Sequence, residues 1–118
     1  MDLMTLFKNE KDLSSDAAGD KIVAEGAKGD FMYGLLDGYV ALDVRGRVLE
    51  TVGPGGFFGE MALIDAGERS ATATARTDCR VVPVDEQRLA FMMQQTPLFS
   101  LHMMRVMIRR IRKMDGIL

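Results

Sequence analysis

Between Gly19 and Val84 the chain never sustains a helical period. Eleven of its twelve glycines fall in this stretch, and the segments they separate are short and rich in Val, Leu, Tyr and Phe. Short β-rich segments cut at close intervals by turn residues predict an all-β sandwich or barrel. Within it, Ala41 to Leu49 reads as a hairpin turning near Gly46, with Leu42, Val44, Val48 and Leu49 facing inward. Pro54-Gly55-Gly56 reads as a turn, and Asp30 as a cap or bridge on the turn at Gly29. At 118 residues the chain has room for one core and one domain.

Composition narrows the function classes. The net charge is −2, with Lys and Arg scattered until the last segment, so bulk attraction to nucleic acid or an anionic membrane is not expected. No apolar run is long enough to span a bilayer and the N-terminus lacks the apolar core of a secretory signal, so a cytoplasmic location is expected. Cys79 is the single cysteine and His102 the single histidine. Neither an internal disulfide, a multi-thiolate metal site, a Ser-His-Asp set nor a Cys-His pair can be assembled. The expectation is no enzyme, no metal and no cofactor, with Cys79 a small buried hydrophobe beside the strand Val81-Val82.

The chemistry concentrates in Phe58-Gly59-Glu60-Met61-Ala62-Leu63 and the following Arg69-Ser70-Ala71-Thr72. Gly59 lets a backbone approach a ligand closely, and Glu60 to Leu63 reads as a short helical turn whose free N–H groups attract an anion. Arg69 supplies a planar guanidinium that holds two phosphate oxygens and never titrates. Glu60 would repel a phosphate, so its place beside an arginine and an amide turn points to a hydroxyl donor next to the anion. In an arbitrary chain, an acid and an arginine this close are more often a surface ion pair; the surrounding residues weigh against that here. The run Ser70-Ala71-Thr72-Ala73-Thr74-Ala75 alternates hydroxyl and methyl side chains, a strand with one face small enough to leave ligand room.

As it stands, FGEMALIDAGERSATATA resembles the phosphate-binding cassette of the cyclic nucleotide-binding domain family, F-G-E-x-A-L followed by R-[ASTV]-A. Gly26, Gly29-Asp30-Phe31-Met32-Tyr33, Gly38 before Val40, Gly46 and Pro54-Gly55 also fall where that family places its turns and strands. The GERSA form and helical tail look most like the catabolite activator branch, with its sensor half and not its helix-turn-helix. The resemblance implies a jelly-roll-like double-stranded β-helix barrel with an N-terminal helix and two C-terminal helices. It also implies a site for cyclic AMP, with cyclic GMP as the second candidate. The ligand-binding residues would be Gly59, Glu60, Met61, Ala62, Leu63, Arg69, Ser70 and Ala71, with Leu49 and Val52 near the base. Arg69 would meet the phosphate and Glu60 the ribose 2′-hydroxyl. Where catabolite activators place hydroxyl side chains against the base edge, this chain has Met114 and Asp115.

The expected organisation is one domain: residues 1–18 an N-terminal helical segment, 19–84 the β-roll with its cassette at 58–72, and 85–118 C-terminal helices. Leu3, Leu6, Phe7 and Leu13 give the first segment an amphipathic pattern. Asp85 can cap a helix carrying Leu89, Phe91, Met92 and Met93 up to Thr96, and Pro97 opens the next. There Leu101, Met104, Ile108 and Ile111 form a heptad-like seam, which Leu118 would extend, suited to a parallel helix pair in a homodimer and resting in part on the barrel. Arg105, Arg109, Arg110, Arg112 and Lys113 read as a solvated face complementing the helix dipole. The expected function is a sensor that signals through its last helix to a second subunit or a separate effector protein, without DNA binding by this chain alone. The rival is a ligand-free barrel serving as a dimerisation or docking module.

Overall fold

A computed structural model describes residues 12–115; the amphipathic pattern at Leu3, Leu6 and Phe7 and the seam position Leu118 lie outside the described residues. Eight strands run in order: β1 Ser14–Asp16, β2 Lys21–Val23, β3 Met32–Asp37, β4 Val40–Val44, β5 Arg47–Val52, β6 Phe57–Phe58, β7 Thr72–Ala75 and β8 Cys79–Val84. A short helix, α1 (Glu60–Ile64), follows β6, and α2 (Glu86–Gln95) and α3 (Pro97–Asp115) close the described chain. The strands form two four-stranded antiparallel sheets, ordered β1-β8-β3-β6 and β2-β7-β4-β5. This is the mainly β, jelly-roll-like barrel that the sequence leads one to expect.

The segment expected to be helical up to residue 18 instead contributes β1, whose Ser14, Ser15 and Asp16 pair with Val81, Arg80 and Cys79. Without it, β8 would present an open edge of unpaired backbone groups, which the three short residues cover.

Strand β8 explains how the helices are held. It reads Cys-Arg-Val-Val-Pro-Val, apolar on both faces, and a strand of that kind must be covered twice. Cys79 and Val81 face between the sheets, with Leu35, Val40, Leu42, Val52, Phe58, Ala73 and Ala75. Val82 and Val84 face outward, where Met32, Leu36, Phe57 and Leu63 join Leu89 and Met92 of α2 and Phe99 and Met103 of α3. Phe57 and Phe99 meet edge to face, with ring centroids 6.4 Å apart. Asp85 caps α2 by accepting a 2.8 Å hydrogen bond from the Arg88 N–H.

The β4–β5 hairpin turns through Arg45 and Gly46, both at positive φ, 51° and 80°, as a two-residue turn matching the strand twist requires. Its register slips by one residue: Leu42 faces Glu50 while Asp43 faces Val48, leaving Leu49 as a bulge. Leu42 and Val44 are buried as expected, but Val48 is 55% exposed. The bulge breaks the strict alternation that would have turned Val48 inward, and it frees Leu49 and Glu50 for the site described next.

Candidate functional site

The cassette departs from sheet geometry at Gly59, whose φ of 81° and ψ of 8° place it in the left-handed region as the N-cap of α1. The N-cap makes no side-chain hydrogen bond to this helix. Glu60, the first residue of α1, is buried at 3% exposure. Ala62 and Leu63 are buried behind it.

Arg69 reaches the same place from the far side of the loop. Its backbone is pinned to the turn after β2: the Arg69 N–H donates to the Ala27 carbonyl at 2.6 Å, and the Arg69 carbonyl accepts from Gly26 N–H at 2.9 Å. The side chain lies over the Tyr33 ring, Cζ 5.8 Å from its centroid, and Nη1 donates to the Gly59 carbonyl at 2.9 Å. Two glycines make this possible. A Cβ on Gly59 would stand 2.7 Å from Arg69 Nη1, and one on Gly29 would overlap the Arg69 guanidinium carbon. Tyr33 is itself stacked on Phe58 at 5.5 Å, so the arginine rests on a fixed aromatic floor.

These elements surround one cavity. Gly59, Glu60, Met61, Ala62, Arg69, Ser70 and Ala71 line it with Leu49 from the bulge. Val23, Leu42, Phe58 and Ala73 supply an apolar wall. Two expected residues are placed elsewhere. Val52 packs in the core between the sheets, paired with Val40 at the end of β5 away from the cavity. Leu63 packs under α2 and α3. Asp30 and Asp115 are exposed, whereas Met114 lines the cavity.

The main departure from expectation is Arg110. Grouped by sequence with a solvated basic face, it is 3% exposed and closes the cavity from α3. Its Nη1 donates to Glu60 Oε1 at 2.6 Å, its Nε to Glu50 Oε1 at 2.7 Å and its Nη2 to the Phe57 carbonyl at 2.7 Å. The guanidinium also lies over the Phe57 ring, 5.1 Å from the centroid. One signal in the sequence identifies it: counted from Phe99 and Met103, the buried stripe of α3 continues at Arg110 with helical spacing, an arginine in a core-facing phase. Nothing in the sequence pairs it with Glu50 and Glu60. Burial pushes the Glu60 carboxyl above its ordinary value, with neighbouring Arg110 acting the other way and not overcoming it.

The expected seam on α3 does not rest in part on the barrel. Leu101, Met104, Ile108 and Ile111 are all 40–49% exposed, and the barrel is met by Phe99, Met103 and Arg110 with Val106 and Met107. The helix is apolar on two faces, and the seam does not rest on the barrel. Cys79 is buried and donates weakly to the Thr77 and Tyr39 carbonyls. Among the described residues, no cluster of His, Cys, Asp or Glu could hold a metal ion, and no helix is long and apolar enough to cross a membrane.

Known proteins resemble this chain in sequence and fold. The profile of the cyclic nucleotide-binding domain matches residues 15–96. The chain is 33% identical over 103 residues to the CRP-like cAMP-activated global transcriptional regulator of Mycobacterium tuberculosis, covering 83% of this chain and 46% of the regulator. It is 37% identical over 90 residues to the cAMP-dependent protein kinase regulatory subunit of Eremothecium gossypii, covering 76% of this chain and 19% of the subunit. Among solved structures, the Thermus thermophilus catabolite activator protein superposes with a TM-score of 0.75 at 31% identity, over 87% of this chain and 51% of that one. A cAMP-bound PfPKA-R fragment superposes with a TM-score of 0.76 at 28% identity, over 89% of this chain and 36% of that one. The chain thus spans less than half the length of these curated relatives. On the matched profile and the shared fold, it belongs to the cyclic nucleotide-binding domain family.

Proposed function

We propose that this chain is a cyclic nucleotide sensor for cyclic AMP, without catalysis of its own, that reports occupancy through α3. The observation that carries the reading is the convergence of Arg69 and Glu60 on one cavity at the amide end of α1. A 3′,5′-cyclic phosphodiester stays ionised across physiological pH, and Arg69, held against Tyr33 and the Gly59 carbonyl, offers its remaining N–H groups to it. The Glu60 carboxylate, which accepts from Arg110 in this structure, accepts from a ribose 2′-hydroxyl when the nucleotide displaces the arginine. A deoxyribose leaves that acceptor unmatched, which selects for the ribose. Leu49, Leu42 and Met114 offer the base an apolar surface. Cyclic GMP is the second ligand to test, since Ser70 suits either purine.

The exposed seam of Leu101, Met104, Ile108 and Ile111 favours a homodimer through α3. Four apolar side chains at spacings of three, four and three form a coiled-coil stripe that a second copy would bury. A displacement of α3 on binding then reaches the partner subunit or a separate effector protein. Isothermal titration with cyclic AMP, cyclic GMP and 5′-AMP tests the ligand. Binding of a cyclic nucleotide at micromolar or tighter, with 5′-AMP silent, is expected. Silence toward both cyclic ligands overturns the sensor reading in favour of a ligand-free dimerisation module.

A further inference from the structure

The cavity between Arg69 and Glu60 encloses only about 30 Å³, room for a water or two. Ligand pockets for molecules of nucleotide size are roughly ten times larger. Two side chains of α3, Arg110 and Met114, line it, and Arg110 fills the place beside the one acid, Glu60, that a ligand hydroxyl would use. With the last turns of α3 in this position, the space between Arg69 and Glu60 is too small to seat a nucleotide. What holds them is divided. Glu60 accepts one N–H of Arg110, and Glu50, on the bulged strand β5, accepts from Nε at 2.7 Å and from Nη2 at 3.5 Å.

We infer that Glu50 is a positioning residue that latches α3 over the site through Arg110 and thereby sets the affinity for the nucleotide. The inference rests on the sensor reading above. Its logic is that of a competent state populated only in part: the apparent dissociation constant is the intrinsic one divided by the fraction of open molecules. Glu50 does not line the cavity between Arg69 and Glu60, so it contributes to closure without contributing to the ligand contacts. Weakening it raises the open fraction. The Glu50 side chain is 24% exposed, which keeps the pair in the modest range of partly solvated ion pairs and the gain at about 3- to 10-fold.

The test is titration of wild type, Glu50→Gln and Glu50→Asp with cyclic AMP and cyclic GMP, paired with amide hydrogen exchange across residues 97–115 of the free proteins. Aspartate keeps the negative charge and shortens the reach, which separates loss of the latch from relief of repulsion toward the phosphate. Both variants are expected to bind about 3- to 10-fold more tightly and to exchange faster in the second half of α3. A residue that merely supported the fold would weaken binding on substitution. Equal or weaker binding in both variants overturns the inference while leaving the sensor reading intact, as does tightening in Gln alone. Silence of all three proteins toward both nucleotides overturns the sensor reading and this inference with it.

Discussion

Arg110 Nη1 lies 2.6 Å from Glu60 Oε1, and fifty positions of chain separate the two residues. The contact joins the last described helix to the first residue of the cassette helix, inside a site that both residues line. It is a buried ion pair with 4% and 3% side-chain exposure. Such pairs recover little over their desolvation cost, yet removing one partner strands the other charge. The raised carboxyl of Glu60 agrees with that balance, because desolvation is its first cause and Arg110 only the second. A contact of this kind suits a switch better than a staple, since a ligand that satisfies Glu60 can replace the arginine at small net cost.

Truncating the phosphate partner should dominate binding. Arg69→Ala leaves the anion without its charge partner in a largely buried site, and a loss of about 2–5 kcal/mol is expected, roughly 30-fold to several thousandfold. Glu60→Ala removes one charged hydrogen bond to a neutral hydroxyl and should cost about 1.5–3 kcal/mol. Titration calorimetry of both variants with cyclic AMP orders them, and wild-type affinity in Arg69→Ala would refute the site.

The two glycines around Arg69 should act as binding residues without touching ligand. A methyl at Gly59 meets Arg69 Nη1 and must also adopt a φ of 81°, a region that costs an L-residue roughly 1–2 kcal/mol. At Gly29 the φ is unrestricted and the methyl overlaps the guanidinium directly. Gly29→Ala is therefore expected to weaken cyclic AMP binding about tenfold or more, while Gly19→Ala, which meets nothing within 4 Å, leaves affinity unchanged.

Glu60 should give the fold a pH dependence of unusual sign. Its folded carboxyl lies above the ordinary 4.5, so between that value and the raised one the folded state binds more protons than the unfolded state. Stability then falls as pH rises through this window. Its contribution is most favourable below 4.5 and is progressively lost as pH rises through the raised value. Thermal melts of wild type and Glu60→Gln from pH 4 to 7.5 isolate it: wild type should lose ground relative to the variant as pH increases, and a constant offset would contradict the assignment.

The free face of α3 predicts an association state. Ile108→Glu places a charge in the exposed seam and should convert a dimer to a monomer at micromolar concentration in sedimentation velocity. Because Ile108 lies outside the cavity, cyclic AMP binding by the monomer should persist. A wild-type chain that sediments as a monomer at all concentrations would remove the homodimer reading.

Cys79 should be silent. Burial pushes its thiol above 9.0, and thiolate is the reactive form. A thiol reagent is expected to label it in denaturant and not in the native protein at neutral pH.

Much of this was legible in the residues themselves. Glycine spacing, β-rich segments and the short apolar runs set the barrel, because turn chemistry and side-chain alternation are local properties. Gly59, Glu60 and Arg69 could be read as one site because they stand within a dozen positions of each other and share a recognisable pattern. The Asp85 cap and the start of α3 at Pro97 were equally local.

Tertiary structure alone decided the rest. The strand at Ser14–Asp16 exists because the edge of β8 needs a partner, a requirement invisible in two serines and an aspartate. The bulge at Leu49 turned Val48 out and Glu50 toward α3, and no propensity of those residues foretells a register slip. Arg110 looked like one of five cations on a helix, and only packing revealed which of them points inward and which two acids receive it. The seam of α3 was spaced as expected, and that none of it rests on the barrel was decided for the same reason: period is written in the sequence, whereas the phase of a helix against its neighbours is settled by the whole core.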